Sequence, residues 1–156
     1  MVGFSMNEKK IAYRLPLYRR SPLRFSCTRC GRCCTGNTDY HVYLNDAEAE
    51  KIRVFIGFGR SWFRRRYLAR DADGSLILQA RDNGACIMLD KDGSCRVYAA
   101  RPVQCATYPF WPEVVKTTTA WRREGQRCEG IDQGEIIPVE RVEKALQLCR
   151  EAEGDQ

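Results

Sequence analysis

The sequence predicts an α+β fold, a small and loop-rich single domain built from short helices and β-hairpins. Three observations predict it. Helical patterns are short and end at glycine or proline, and Asp/Asn/Gly turns separate short apolar runs. Nine cysteines also occur in 156 residues, and four of them lie within eight positions. A chain of this length buries roughly two-thirds of its unfolded surface. It can therefore fold without cysteine crosslinks.

The composition is that of an ordinary globular protein, with 44% hydrophobic residues, 29% charged residues and a mean hydropathy of −0.50. These values exclude a disordered chain and a collagen. No apolar run approaches the length of about 18 residues that a membrane span needs, so we expect no membrane segment. Residues 1–10 are polar and lack the apolar centre of a secretory signal. We therefore expect a cytoplasmic protein whose thiols are kept reduced.

Two regions are expected along the chain. Residues 1–26 are a basic arm interrupted by Pro16 and Pro22, and residues 27–153 are a cysteine-cluster metal-binding domain that includes a C-terminal helix. Within the domain, Asn45 is a predicted N-cap with Glu48 in the capping-box position, and this helix ends near Gly57. A second helix is predicted over residues 62–70.

The second half of the chain alternates hairpin and helix signals. Residues 76–80 and 85–89 are predicted strands joined by an Asp-Asn-Gly turn, and residues 114–121 are β-prone. A short helical turn after Pro102 carries Cys105. The last helix is predicted from Pro138 to about residue 153.

The cysteines are the strongest chemical signal. Their odd number leaves one thiol outside any closed disulfide framework, and bridges inside the first cluster would need strained loops. In a reducing compartment, dense cysteines indicate metal ligands, which favours a metal site over a disulfide scaffold or inert buried thiols. The fold is therefore expected to be organised around a cysteine metal site with one or two centres. The candidate ligands are Cys27, Cys30, Cys33, Cys34, Cys86, Cys95, Cys105 and Cys128.

The spacing of the first cluster leaves the metal open between an iron–sulfur cluster and zinc. A C-x2-C-x2-C triplet can give three thiolates to an iron–sulfur cluster, which slightly favours iron, and it can also give two ligands to zinc. Cys33 and Cys34 are adjacent, and neighbouring side chains of an extended segment point in opposite directions. This arrangement indicates two centres, a bridging sulfur or one structural thiol.

Two residues are expected to lie outside the ligand set. Cys149 shares a helical face with Val142, Ala145 and Leu146, which is typical of a core position. His41 is the single histidine, and a lone histidine in a short strand is more often structural than a ligand.

An ordered set of motifs resembles the CxxCxxCC cysteine-cluster family, whose domain is described as zinc- or iron-chelating. The motifs are Cys27-x-x-Cys30-Gly-x-Cys33-Cys34, then Cys86-Ile-Met-Leu-Asp, then Gly93-x-Cys95-x-Val-Tyr98-x-x-Arg101-Pro102-x-x-Cys105-x-x-Tyr108-Pro109-Phe110, and finally Trp121 with Cys128-x-Gly130-Ile131. The resemblance implies a metal-binding domain. The same domain resembles part of flagellin lysine-N-methylase, but the chain leaves little room for a second substrate domain and contains no nucleotide fingerprint.

The formal net charge of +6 is concentrated in arginines, several beside the cysteines and a group in the second predicted helix. That group consists of Arg60, Arg64, Arg65, Arg66 and Arg70. Arginines near thiolates offset the negative charge of a thiolate-bound metal. The helix is expected to present a solvated face, with a nucleic-acid or acidic-protein surface as the alternative.

Three functions remain open from the sequence. The first is a module in which the metal only organises the fold, with redox activity as an extension. The second is an iron–sulfur-dependent enzyme that modifies proteins, for which no acid–base constellation can be identified. The third is a zinc-stabilised module that interacts with nucleic acid or protein. Whether the chain is an enzyme is left undecided.

Overall fold

The computed structural model describes residues 15–35 and 41–154. Its helices are Leu17–Arg20, Asp46–Ile56, Arg60–Tyr67, Val103–Thr107, Pro112–Val115, Thr118–Arg127 and Val139–Gly154, with short 3-10 turns at Arg32–Cys34 and Tyr98–Ala100. Its strands are β1 (Leu23–Phe25), β2 (Leu68–Arg70), β3 (Leu76–Leu78) and β4 (Ile131–Ile137). Helices and small antiparallel strand pairs together confirm the predicted α+β class.

The chain divides into two compact units. The first comprises Met1–Cys27 and Pro109–Leu146, and the second comprises Thr28–Tyr108 and Gln147–Gln156. Residues 17–25 of the predicted arm form a helix and β1, which belong to the first unit. The predicted boundary between residues 26 and 27 stays a prediction.

The first unit is built on the antiparallel pairing of β1 with β4. Leu23 pairs with Ile137 and Phe25 with Ile131, with a register shift between them. Trp121 is buried in this core and stacks on Phe110, with ring centroids 6.4 Å apart. β4 was not predicted from the sequence, because only the two ends of this strand are buried and the five residues between them are exposed. Such a strand lacks the alternation that predicts strands.

The second unit has its own core, in which Leu44, Ile52, Phe63 and Met88 are almost completely buried. β2 pairs with β3 in antiparallel register, and Leu68 lies opposite Leu78. The predicted 76–80 and 85–89 hairpin is observed as β3 followed by an isolated bridge between Ala80 and Cys86.

The predicted capping box is present at the first helix of the second unit. The Asn45 side chain accepts a hydrogen bond from the Glu48 N–H at 2.8 Å, and the Glu48 carboxylate accepts one from the Asn45 N–H at 2.9 Å. The helix ends at Ile56, and Gly57 follows with φ +75°. The predicted short helix carrying Cys105 and the predicted C-terminal helix are also observed.

Two predicted elements are wrong. The helix predicted over residues 62–70 runs instead from Arg60 to Tyr67, with Gly59 as its N-cap. It ends before Leu68 because Leu68–Arg70 pairs with β3. Of the β-prone residues 114–121, residues 114–115 and 118–121 lie in two helices that Lys116 and Thr117 connect. Pro112 occupies the first turn of one, and the Thr117 hydroxyl caps the other by accepting a hydrogen bond from the Ala120 N–H at 3.1 Å.

Within the described residues, no helix combines the length and apolarity needed to cross a membrane.

We predict that Asn45→Ala lowers the free energy of unfolding by about 1 kcal/mol, because the substitution removes a satisfied N-cap. Urea denaturation measures the change. Glu153→Ala, at an exposed position in the last helix, is the matched control and should change stability by less than about 0.5 kcal/mol. Equal effects of the two substitutions would contradict the assigned role of Asn45.

Candidate metal centre

Three turns of the second unit share one hydrogen-bonding pattern. In each, the first residue donates its N–H to the carbonyl four residues later, and the glycine donates its N–H back to the carbonyl of the first residue. The three segments, each with its glycine φ, are 71–75 (+86°), 81–85 (+78°) and 90–94 (+83°). The last two turns are followed directly by Cys86 and Cys95. This repetition was not predicted, although the similar strings Asp-Ala-Asp-Gly-Ser, Arg-Asp-Asn-Gly-Ala and Asp-Lys-Asp-Gly-Ser indicate it.

Cys86 and Cys95 each begin a second, matching turn. The Leu89 N–H donates to the Cys86 carbonyl at 3.1 Å, and the Tyr98 N–H donates to the Cys95 carbonyl at 3.2 Å. The Met88 N–H also donates to Cys86 Sγ at 3.4 Å. The corresponding N–H of Val97 lowers the pKa of Cys95, against the larger opposite effect of burial. Backbone donors aimed at sulfur favour the thiolate form.

The loop that carries the first cysteines packs against the turn over residues 90–94. Gly31 has φ +73°, and a Cβ placed on it would lie 2.4 Å from the Gly93 carbonyl oxygen. Gly31 is followed by the 3-10 turn Arg32–Cys34. The Cys86 N–H then donates to the Cys34 carbonyl at 2.8 Å. The loop is thereby held on the hairpin by main-chain contacts.

Cys33 and Cys34 do not lie in an extended segment. The 3-10 turn brings their two Sγ atoms to 3.9 Å from each other. The expectation that their side chains point apart was therefore wrong, because its premise of extended backbone does not hold here.

Five thiols of the second unit influence one another electrostatically, and we call them the thiol cluster: Cys33, Cys34, Cys86, Cys95 and Cys105. The hydrogen bond with Cys33 raises the pKa of Cys34, and burial and the nearby thiols raise it further. Burial raises the pKa of Cys105, and the charges of Cys86, Cys33 and Cys95 add to this effect. Ionising several of these thiols together is therefore costly unless a cation offsets their charge.

Cationic side chains lie beside the thiol cluster. Arg101 lowers the pKa of both Cys95 and Cys105, and Arg81 lowers that of Cys86, although burial outweighs these effects. The Tyr98 ring contacts two guanidinium groups, with Arg101 Cζ 3.7 Å and Arg29 Cζ 4.3 Å from its centroid. Several arginines were predicted to lie near the cysteines, but Arg81 was not among them.

The remaining predicted ligands fall into both units. Cys30 is exposed and lies on the loop of the second unit, where its carbonyl oxygen is close to Gly93. Cys27 and Cys128 belong to the first unit. The Ser26 N–H donates to the Gly130 carbonyl at 3.0 Å, so the pairing of β1 with β4 carries these two cysteines to the same end of the strand pair.

The two residues expected outside the ligand set have other contacts. Cys149 is half-buried, and its sulfur lies 3.3 Å from Thr107 Oγ1. His41 packs edge-on against Tyr43, with ring centroids 6.1 Å apart, and its carbonyl accepts a hydrogen bond from Gln104.

All nine cysteines are free thiols. Sulfur donors of this kind suit zinc and iron, so the chemistry of the thiol cluster fits the metals that the motifs imply. Across residues 15–35 and 41–154, however, no group of three or more His, Cys, Asp or Glu side chains is arranged to hold a metal ion. The second unit therefore supplies sulfur donors of the kind that these metals take.

Comparisons with known proteins agree with this chemistry. Residues 26–133 match the family CxxCxxCC, described as "Putative zinc- or iron-chelating domain". The chain is also 27% identical over 113 residues to an uncharacterized protein of Methanocaldococcus jannaschii. That alignment covers 72% of this chain and spans 57% of the relative's length. No solved structure matches the chain.

The contact between Gly31 and Gly93 generates a prediction with a matched control. Gly31→Ala and Gly74→Ala both place a side chain at positive φ, which costs about 1–2 kcal/mol of stability. A Cβ at Gly74 meets no atom within 4 Å, so Gly31→Ala should cost about 1–3 kcal/mol more because of overpacking. Urea denaturation of both variants tests this difference. Equal losses of stability would show that the loop does not pack as described.

Proposed function

This chain belongs to the CxxCxxCC family of zinc- or iron-chelating cysteine-cluster domains, and we propose that the bound metal organises its fold and can be redox-active. The observation that carries the proposal is the thiol cluster, in which two matching cysteine turns and the adjacent pair Cys33 and Cys34 are held together by main-chain hydrogen bonds. The chain spans 57% of the length of its Methanocaldococcus jannaschii relative. The activity and partners given below are therefore proposals for this chain.

We assign the ligands to the eight cysteines of the motifs: Cys27, Cys30, Cys33, Cys34, Cys86, Cys95, Cys105 and Cys128. An iron–sulfur cluster would supply electron transfer, whereas zinc would supply structural stability alone. The spacing of Cys27, Cys30 and Cys33 favours the iron–sulfur cluster. Either metal is compatible with one or two sites.

The protein's own groups prepare these thiols for binding. The N–H groups of Met88 and Val97 donate to the sulfurs of Cys86 and Cys95. Arg81 and Arg101 supply positive charge that favours the thiolates. Thiolates must form before a metal binds, so these groups lower the cost of binding.

Two further roles are proposed for this chain, an enzymatic one and a binding one. An iron–sulfur-dependent protein-modifying enzyme is the alternative that the resemblance to lysine-N-methylase raises. The exposed arginines of the Arg60–Tyr67 helix support a role in binding nucleic acid or an acidic protein. We place the protein in the cytoplasm, where free thiols persist.

We predict that Cys86→Ser and Cys105→Ser each lose most of the bound metal, because each substitution removes a sulfur ligand. Anaerobic purification, metal analysis and a visible spectrum provide the measurement. Broad visible absorption indicates an iron–sulfur cluster, whereas a colourless protein with about one or two zinc ions per chain indicates zinc. Cys27→Ser and Cys128→Ser test the cysteines of the first unit in the same way.

The matched control is Cys149→Ser, which changes a half-buried cysteine that lies outside the motifs. Its metal content should equal that of the unmodified chain. Metal loss in this variant equal to that of Cys86→Ser would refute the ligand assignment. A metal-free unmodified protein after anaerobic purification would reject the proposed function itself.

We also predict that Arg101→Gln weakens metal binding by about 10-fold or more, since it removes positive charge beside Cys95 and Cys105. Competition with a chelator measures the affinity. Arg101→Lys keeps the charge and should retain most of the affinity. If the lysine variant binds as weakly as the glutamine variant, the role of Arg101 is steric and not electrostatic.

A further inference from the structure

A partly exposed tryptophan in the second unit is not explained by core packing. Trp62 lies on the Arg60–Tyr67 helix and is 44% exposed, whereas Phe63 and Tyr67 of the same helix are 1% and 4% exposed. Trp121, which packs in the core of the first unit, is 3% exposed. Leaving much of a large indole in water gives up stabilisation that burial would provide.

Neighbouring rings hold the Trp62 side chain. Its ring centroid lies 4.4 Å from that of Phe58 and 5.7 Å from that of Tyr67, to which it packs edge-on. Tyr67 is itself buried against Phe63, at 5.5 Å. Contacts with these packed aromatic rings therefore fix the orientation of the indole, and its exposed surface is preorganised.

The arginines of this helix differ in their surroundings. Arg60 forms an ion pair with Glu50 at 3.4 Å, and Arg64 forms one with Asp46 at 2.9 Å. Arg65 and Arg66 are exposed, and no carboxylate within the described part of the chain forms an ion pair with either. They follow Trp62 by three and four positions, which places them next to it on the helix surface.

An exposed ring beside two guanidinium groups is suited to a ligand that alternates flat bases with negative charges. We infer that Trp62, Arg65 and Arg66 bind single-stranded nucleic acid, with a base stacked on the indole and phosphates beside the arginines. The two guanidinium groups beside the ring favour a ligand with regularly spaced negative charges over an apolar protein surface. This inference deepens the interaction role proposed above for the helix and does not require a bound metal.

The test is fluorescence anisotropy of the full chain with labelled single-stranded RNA and DNA of about twelve nucleotides. Trp62→Ala should weaken binding about 10-fold, and Trp62→Phe should lose less because it keeps a ring. Arg65→Ala combined with Arg66→Ala should reduce the slope of log K against log salt by about 1.4. Arg122→Ala combined with Arg123→Ala removes the same charge from another exposed pair and should leave that slope unchanged.

Several results would overturn the inference. These are no binding of either nucleic acid at about 50 mM salt, an unchanged affinity of Trp62→Ala, or equal displacement of the strand by polyglutamate. Trp62-dependent self-association in light scattering without nucleic-acid binding would assign the surface to a second copy instead. Metal content is measured in the same samples. A metal-free chain that binds nucleic acid through Trp62 rejects the metal proposal alone, and a metal-loaded chain that fails to bind rejects this inference alone.

Discussion

The close approach of Gly31 to the Gly93 carbonyl is the constraint on which the candidate site depends. It requires a glycine at position 31, because a Cβ there would lie 2.4 Å from the Gly93 carbonyl oxygen, and both glycines adopt positive φ. Through this contact, the loop that carries Cys30, Cys33 and Cys34 is held on the hairpin whose turns precede Cys86 and Cys95. The hydrogen bond from the Cys86 N–H to the Cys34 carbonyl completes the connection. Main-chain contacts therefore bring the thiols together, and no contact between their side chains is needed for this.

Gathering the thiols has an electrostatic cost that the surrounding groups reduce. The hydrogen bond with Cys33, burial and repulsion raise the pKa of Cys34. Burial and repulsion raise the pKa values of Cys86 and Cys105. Arg81, Arg101 and the backbone N–H groups near sulfur act in the opposite direction. The net result is a raised pKa for each of these thiols. The same residues thus connect the architecture of the second unit to a metal-dependent function, because a bound metal ion would offset the repulsion that otherwise opposes their ionisation.

The sequence predicted those elements whose signals are local. The capping box at Asn45, the short helix that carries Cys105 and the C-terminal helix were all predicted, because a cap or a proline defines each of them over a few residues. β4 was missed, because it pairs with β1 far away in the sequence and its five central residues are exposed. β2 was missed, because its three residues continue the predicted helix and form a strand only by pairing with β3 across the turn over residues 71–75. Residues 114–121 were predicted as β-prone from their composition, but Pro112 and the Thr117 cap favour the two helices that contain all of them except Lys116 and Thr117.

The sequence by itself determined the α+β class, the family and the sulfur-rich chemistry, because all three depend on residue identity and spacing. Only the tertiary structure decided which thiols influence one another. It grouped Cys33, Cys34, Cys86, Cys95 and Cys105, and it placed Cys27 and Cys128 in the first unit. It also left the Trp62 ring partly exposed while it buried Phe63 and Tyr67 of the same helix. The physical reason is that helical turns, glycine contacts and burial set the direction of a side chain, and spacing alone does not specify these.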